Sequence, residues 1–383
     1  EEPDLTAEQK DIPVQTSQSA DEKRTQSPMS DVVELSDGQD STEKLGGSSS
    51  KPDEVVLLSD DDDVAETAPK KTDEKPWEMK VLTYNCWFEI SVCLRERMAA
   101  IGAIIEEEKP DVIMMQEVVP EMEQLFATAK WYKRYHPSQR PRGMAYYTLL
   151  YVHKSAEILS PSDRHEFGNS QMGRDVLSVC LNLRGKDIVV ATSHLESLTE
   201  FKAGPAKDAQ LAVRKEQLEL AQKRLHVFGK RLEGATSKAP QIIYAGDMNW
   251  NDKETGTPQL KPGWVDPWPK LYPRDPGYTY DGPRNCMLVN KFRNRLDRFF
   301  CKLAGGVRVS SIKMVGLDPI PGAEYERSVF GKMKTLPVSP SDHFGLLATF
   351  RNEEAQVQGE VAATTGGAAE PAKGSIRSFF KRA

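Results

Sequence analysis

The chain is poor in the features that mark several protein classes. Its 383 residues include five cysteines, Cys86, Cys93, Cys180, Cys286 and Cys301, scattered without a Cys-x-x-Cys pair. That pattern excludes a disulfide framework and a zinc ribbon and fits a reducing compartment. No apolar run approaches the roughly 20 residues of a membrane span, and no basic leader precedes an apolar stretch. A soluble, intracellular protein without a membrane partner is expected. The chain opens on Glu1 rather than Met, so a trimmed or fragmentary product is also expected. There is no internal repeat at a constant period.

Apolar residues are scarce overall, with a mean hydropathy of −0.55 and 28% charged side chains. Residues 1–76 account for much of this, carrying 21 acidic and 8 basic side chains among Ser, Thr, Gly and Pro with almost no aromatics. Such a segment cannot bury enough apolar surface to offset chain entropy and is expected to be disordered. Its net −13, taken from the whole-chain −6, leaves +7 for residues 77–383, and residues 352–383 hold four charges of each sign. The folded region, expected over residues 77–351, is therefore basic. That balance favours a polyanionic partner, although a basic face can also simply be solvated.

Short apolar runs recur through this region at Val81–Trp87, Asp111–Val118, Tyr146–Val152, Val176–Leu183, Ile188–His194, Ile242–Gly246, Leu296–Cys301 and Gly345–Phe350. They read as buried strands. Glu96–Glu107 and Lys207–Phe228 read as helices, the second aligning Leu211, Leu218, Ala221, Leu225 and Phe228 on one stripe. Strands flanked by amphipathic helices indicate an α/β fold.

Several runs end in polar clusters: Thr83-Tyr84-Asn85, Gln116-Glu117, Ser193-His194-Leu195-Glu196-Ser197, Gly246-Asp247-Met248-Asn249, Leu296-Asp297-Arg298 and Ser341-Asp342-His343. A single acid at a strand end is usually a cap or a solvated loop residue. Six clusters offering carboxylates, amides and imidazoles together suggest a site at one sheet edge. In this order the clusters resemble the signature motifs of the endonuclease/exonuclease/phosphatase superfamily, and within it the enzymes that release tyrosine from 5′ DNA ends. Tyr84 stands where that group usually has an indole.

The resemblance implies a two-sheet sandwich with outer helices, flanked by disordered tails, and a DNA-repair hydrolase leaving a 5′-phosphate. It also implies Mg²⁺, with Mn²⁺ as the alternative, held chiefly by Glu117 with Asn85 beside it. Asp247 is then expected to activate the attacking water, Asn249 to hold a phosphate oxygen, and His343, Asp342 and His194 to complete the catalytic set. An isolated His194 would otherwise read as a satisfied core histidine. Substrate contacts are expected from Arg174, Tyr280, Ser197, Asp297 and Arg298. For several of these a second reading stands beside that one: Arg174 as a solvated strand-edge charge, Tyr280 as a packed loop aromatic, Asp297 as an acid that orders His343 or the metal shell, and Arg298 as a structural ion pair.

Two tetrads in the acidic tail, Val32–Leu35 and Val55–Leu58, each followed by acids, resemble SUMO-interacting motifs that add a strand to a partner sheet. Ile376–Phe380 resembles a sliding-clamp-binding peptide, with Lys373 where a Gln is customary. Chance apolar tetrads and a stray aromatic pair are the plain alternatives. These segments point to the nucleus, with the cytoplasm as the alternative. Other functions compatible with the same motifs are an abasic-site endonuclease, an inositol-phosphate phosphatase, or a non-catalytic protein tethered to DNA ends.

Overall fold

The computed structural model describes residues 76–198 and 204–352. Both tetrads of the acidic tail and the Ile376–Phe380 peptide lie outside them. The chain forms β1 (Glu78–Asn85), α1 (Leu94–Glu108), β2 (Val112–Val118), α2 (Pro120–Thr128), β3 (Tyr135–Pro137) and β4 (Tyr147–His153). There follow β5 (Glu157–Ile158), β6 (Asp163–Glu166), β7 (Asp175–Leu183), β8 (Lys186–His194), α3 (Pro205–Thr236) and β9 (Gln241–Asp247). The remaining strands are β10 (Tyr280–Asp281), β11 (Arg293–Asn294), β12 (Asp297–Lys302), β13 (Val307–Val315), β14 (Glu324–Val329), β15 (Lys332–Pro337) and β16 (Gly345–Asn352).

Two six-stranded sheets result. One runs β13-β16-β1-β2-β4-β3; the other runs β12-β9-β8-β7-β5, with β6 also pairing β7. Each contains one parallel pair, β1 with β2 and β8 with β9, joined through α1 and α3 respectively. A parallel pair needs such a crossover, and it brings both C-terminal strand ends to the same sheet edge.

Side chains alternate between the two faces of each sheet, and the alternation builds three apolar layers. Met79, Val81, Val112 and Met114 of the first sheet join Ile188, Val190, Ile243, Ala245, Phe299 and Cys301 of the second in a core between the sheets. Leu82, Tyr84, Ile113 and Met115 pack outward with Met98, Ile101 and Ile105 of α1. Val189, Ile242 and Tyr244 pack with Leu218, Ala221 and Leu225 of α3, three of the stripe residues read from the sequence. The two-sheet α/β sandwich expected of the chain is thus present, and all eight predicted strands and both helices form within a few residues of the expected bounds, except that α3 continues eight residues past Phe228. The elements not predicted are short or polar. β13, for example, exposes every few residues at a sheet edge and carries no continuous apolar run.

Candidate active site

The core between the sheets ends in the polar clusters. Asn85 has the parity of Met79 and Val81, His194 that of Ile188 and Val190, Asp247 that of Ile243 and Ala245, and Asp297 that of Phe299 and Cys301. Each is the last inward-facing residue at one end of its strand, so the pleat aims all four into the gap between the sheets. Beneath them lies a polar layer, where Gln116 Nε2 donates to Thr83 Oγ1 at 3.1 Å and to Thr192 Oγ1 at 2.9 Å, all buried. Glu117 has the opposite parity to Gln116. A bulge between Met115 and Val118, with Glu117 at φ 56°, turns its carboxylate back toward the site. Gly246 permits the approach of β8 and β9, since a Cβ there would lie 2.1 Å from the Ser193 carbonyl oxygen.

Asp247 is the hub. Its Oδ1 accepts from the Asn249 N–H at 2.8 Å, and Oδ2 accepts from Asn85 Nδ2 at 3.0 Å. The same Oδ2 faces His194 Nε2 at 3.4 Å and His343 Nε2 at 3.9 Å. Burial alone would raise the Asp247 carboxyl, but the two imidazoles and the two amide donors outweigh it and hold the group below its ordinary range.

The two histidines are held in different protonation states. Burial, then the adjacent Arg174 guanidinium, lowers His194 to about 3, so it is neutral near pH 7. Arg174 Nη1 donates to His194 Nδ1 at 3.0 Å, which leaves the proton on Nε2, directed at Asp247. His343 is opposite in sign. Burial works against its charge, yet the carboxylates of Asp297 and Asp247 raise it well above its ordinary value. Its Nδ1 donates to Asp297 Oδ2 at 2.8 Å, leaving a charged Nε2–H toward the hub.

Glu117 completes the cluster. Its Oε1 accepts from Asn85 Nδ2 at 3.1 Å and its Oε2 from the Phe88 N–H at 3.1 Å. Burial, then the Asp342 carboxylate, pushes Glu117 up to about 7. Glu117, His194 and Asp247 present one ligand atom each within 4.8 Å of one another. With His194 presenting N–H, the donors there are carboxylate oxygens, and that of Glu117 is raised by burial and by the Asp342 carboxylate. That set fits a hard divalent ion completed by waters and substrate oxygens.

Two sequence expectations are corrected by this geometry, and a third is decided between its two readings. Asn85 was expected beside Glu117 as a metal ligand, but its Oδ1 accepts from the Trp87 N–H at 2.9 Å while its Nδ2 bridges the Glu117 and Asp247 carboxylates. It is a spacer between two negative charges; turning the amide over would aim oxygen at oxygen. Arg298 was expected at the substrate, but it has the other strand parity and is buried against Asp252 at 2.9 Å and Asp266 at 3.3 Å, with Nη2 on the Trp250 carbonyl. Asp297, expected either at the substrate or ordering His343, takes the second place.

The other expected residues are placed as follows. Arg174 reaches the cluster through His194. Its loop is tied to α3 by Glu196, which accepts from Ser170 Oγ, the Gln171 N–H and Gln217 Nε2. Ser197 stays on the rim, with Oγ 3.2 Å from Met172 Sδ. Tyr280 does reach the site, its ring 5.3 Å from the His343 imidazole, edge to face. Asn249 gives its side-chain amide to the Leu195 carbonyl at 2.9 Å, and Asp342 accepts from Ser341 Oγ at 3.3 Å.

Sequence reasoning missed two features. Phe88, 46% exposed, stacks on Tyr146 at 5.1 Å, and the Arg174 guanidinium lies 5.2 Å over the Tyr146 ring, making an aromatic wall. Buried Arg97 donates to the carbonyls of Cys86, Trp87, Glu89 and Val92 and to that of Pro340, locking together the loops after β1 and before His343. An Arg inside an otherwise apolar helix stripe was the available signal.

Residues 82–343 match the endonuclease/exonuclease/phosphatase family. The chain is 29% identical over 266 residues to tyrosyl-DNA phosphodiesterase 2 of Bos taurus, spanning 67% of this chain and 63% of that protein, so it matches less than two thirds of the relative's length. Among solved structures it is similar to Danio rerio TDP2 complexed with single strand DNA product, at TM-score 0.56 and 23% identity over 72% of this chain and 99% of that one. It is also similar to the human Nocturnin catalytic domain, at TM-score 0.50 and 15% identity over 72% and 94% of the two chains. At these identities the structural likenesses concern the fold alone.

Proposed function

The chain belongs to the endonuclease/exonuclease/phosphatase family, and from that premise we propose that it is a DNA-repair hydrolase cleaving the phosphodiester between a tyrosine side chain and a 5′ DNA end. The observation that carries the chemistry is the arrangement at Asp247, a carboxylate held ionised between a neutral and a charged imidazole. The tyrosyl substrate is supported by the relatives' names, by the basic charge of residues 77–383, and by the aromatic walls of Phe88, Tyr146 and Tyr280.

Asp247 Oδ2 accepts the proton of an attacking water, which Asn85 and the Asn249 N–H help to orient by fixing the carboxylate. His343, as imidazolium, donates from Nε2 to a non-bridging phosphate oxygen as charge grows there, and His194 offers a second, neutral Nε2–H. Glu117 would hold Mg²⁺ or Mn²⁺, which supplies positive charge against the phosphate oxygens and the departing phenolate. The products are free tyrosine and a 5′-phosphate. SUMO and sliding-clamp partners, and a nuclear location, remain proposals from Val32–Leu35, Val55–Leu58 and Ile376–Phe380.

The test compares Mg²⁺-dependent tyrosine release from 5′- and 3′-phosphotyrosyl single-stranded oligonucleotides, with Asp247→Asn as control. Release from the 5′ adduct alone, lowered about 10³-fold or more in the variant with DNA binding retained, supports the proposal. Incision of an abasic duplex or dephosphorylation of an inositol phosphate in place of tyrosine release overturns the substrate and keeps the family.

A further inference from the structure

The hairpin formed by β14 and β15 belongs to neither sheet. Its base is fixed beside the site: Arg327 Nη1 and Tyr325 Oη donate to the Met287 carbonyl at 2.9 and 3.3 Å, Cys93 Sγ to the Glu324 carbonyl at 3.6 Å. The Met287 loop in turn holds the segment bearing His343, through Asn285 Nδ2 donating to the Ser341 carbonyl at 2.8 Å. Beyond that base most hairpin residues are exposed, with Val329 buried beside the tip. Its tip residue Phe330 is 92% exposed.

Two features of the hairpin are unfavourable for the isolated protein. Arg327 pairs directly with Lys334, and Val329 with Lys332, so three cations share the face that also carries Tyr325 and packs toward Met287. Glu324 and Glu326 lie on the opposite face. Like charges directly across an antiparallel pair repel, and among the described residues neither lysine has an ion-pair partner. The Phe330-Gly331 turn places Phe330 at φ 53°, a left-handed conformation that favours Asn or Gly and is costly for a bulky side chain. An exposed aromatic in a strained turn, above a face of unneutralised cations, has the composition of a surface that binds single-stranded nucleic acid.

We propose that this hairpin is a finger for the DNA strand: Arg327, Lys332 and Lys334 take successive phosphates of the strand leaving the site, and Phe330 stacks on one of its bases. The inference rests on the DNA substrate proposed above and adds where the strand runs. An acidic peptide would use the cations but has no need of the exposed aromatic. Arg327 is tied to the Met287 carbonyl and the same loop, through Asn285, to the segment bearing His343, so a strand on the finger continues toward Tyr280 beside that imidazole.

The test uses the full chain with Phe330→Asn, which suits the left-handed turn and so preserves the hairpin, and with the pair Lys332→Gln and Lys334→Gln. Anisotropy of a labelled, unmodified thymidylate strand of about 12 nucleotides reports binding. Phe330→Asn is expected to weaken Kd about 10-fold. The lysine pair is expected to lower the salt slope by about 1.4, at about 0.7 per phosphate contact. Turnover of thymidine 5′-(4-nitrophenyl phosphate), too short to reach the finger, should be unchanged. Unaltered Kd and salt slope, or equal losses on the mononucleotide, overturn the finger. Finger-dependent binding by a protein that releases no tyrosine would keep the finger and remove the tyrosyl reading instead.

Discussion

Asp297 Oδ2 receives the Nδ1 proton of His343 across 2.8 Å, between residues 46 positions apart and both buried. This bond fixes which nitrogen of His343 faces Asp247 and, with Asp247, keeps the ring charged.

The first prediction concerns pH. His343 is raised above its ordinary value, so its imidazolium persists through neutrality and is lost as pH rises through the raised value. Asp297→Asn removes a carboxylate that supports the charge. The alkaline limb of kcat should move to lower pH by roughly one unit or more. A limb that stays in place would separate the limb from His343.

Arg174 controls the partner histidine. In Arg174→Gln the amide can still donate to Nδ1, but the charge that helps keep His194 at about 3 is gone. The His194 pKa should rise, visible in its ring ¹⁵N shifts, with a loss of about 10-fold or more in kcat/KM. Retention of the ¹⁵N titration would assign the depression to burial alone.

Metal removal should produce a pH signature in stability. Glu117 stands at about 7 against an ordinary value near 4.3, so the metal-free folded state binds a proton that the unfolded chain does not. This contribution to stability falls as pH rises from about 4.3 to about 7. Mg²⁺ should therefore raise Tm more at pH 8 than at pH 5, and Glu117→Gln should abolish the difference. An equal Mg²⁺ effect at both pH values in the unsubstituted protein would place the ion elsewhere.

Tyr84 stands where related motifs carry an indole. It is buried between Gly316 and Gly345, where added Cβ atoms would lie 2.0 and 2.4 Å from it, and among the described residues its hydroxyl has no hydrogen-bond partner. Tyr84→Phe should stabilise the fold by about 1 kcal/mol in thermal or denaturant unfolding, by relieving an unsatisfied buried hydroxyl. A loss of stability would mean the hydroxyl is satisfied by water.

Strand alternation explains why so much of the site was legible. Asn85, His194, Asp247 and Asp297 each end an apolar run and share its inward parity, so period-two reading places them together. The same rule, applied to the neighbouring pair, would have sent Arg298 away from Asp297 to the opposite face. Glu117 could not be read this way, because its direction depends on one left-handed residue in a bulge. Nor could the orientation of the Asn85 amide, which is decided by charges from two strands far apart in sequence. The β14–β15 hairpin stayed invisible because its strands are polar and bury little.

The charged cluster and the hydrocarbon between the sheets are consecutive storeys of one column of side chains, with Thr83, Gln116 and Thr192 as the floor between them. The charged groups consequently inherit their precision from strands whose spacing is set by packing, while Phe88, Tyr280 and the hairpin hang from connections outside that column. Those connections can therefore be lengthened, trimmed or exchanged without re-aligning the charged groups at the head of the column.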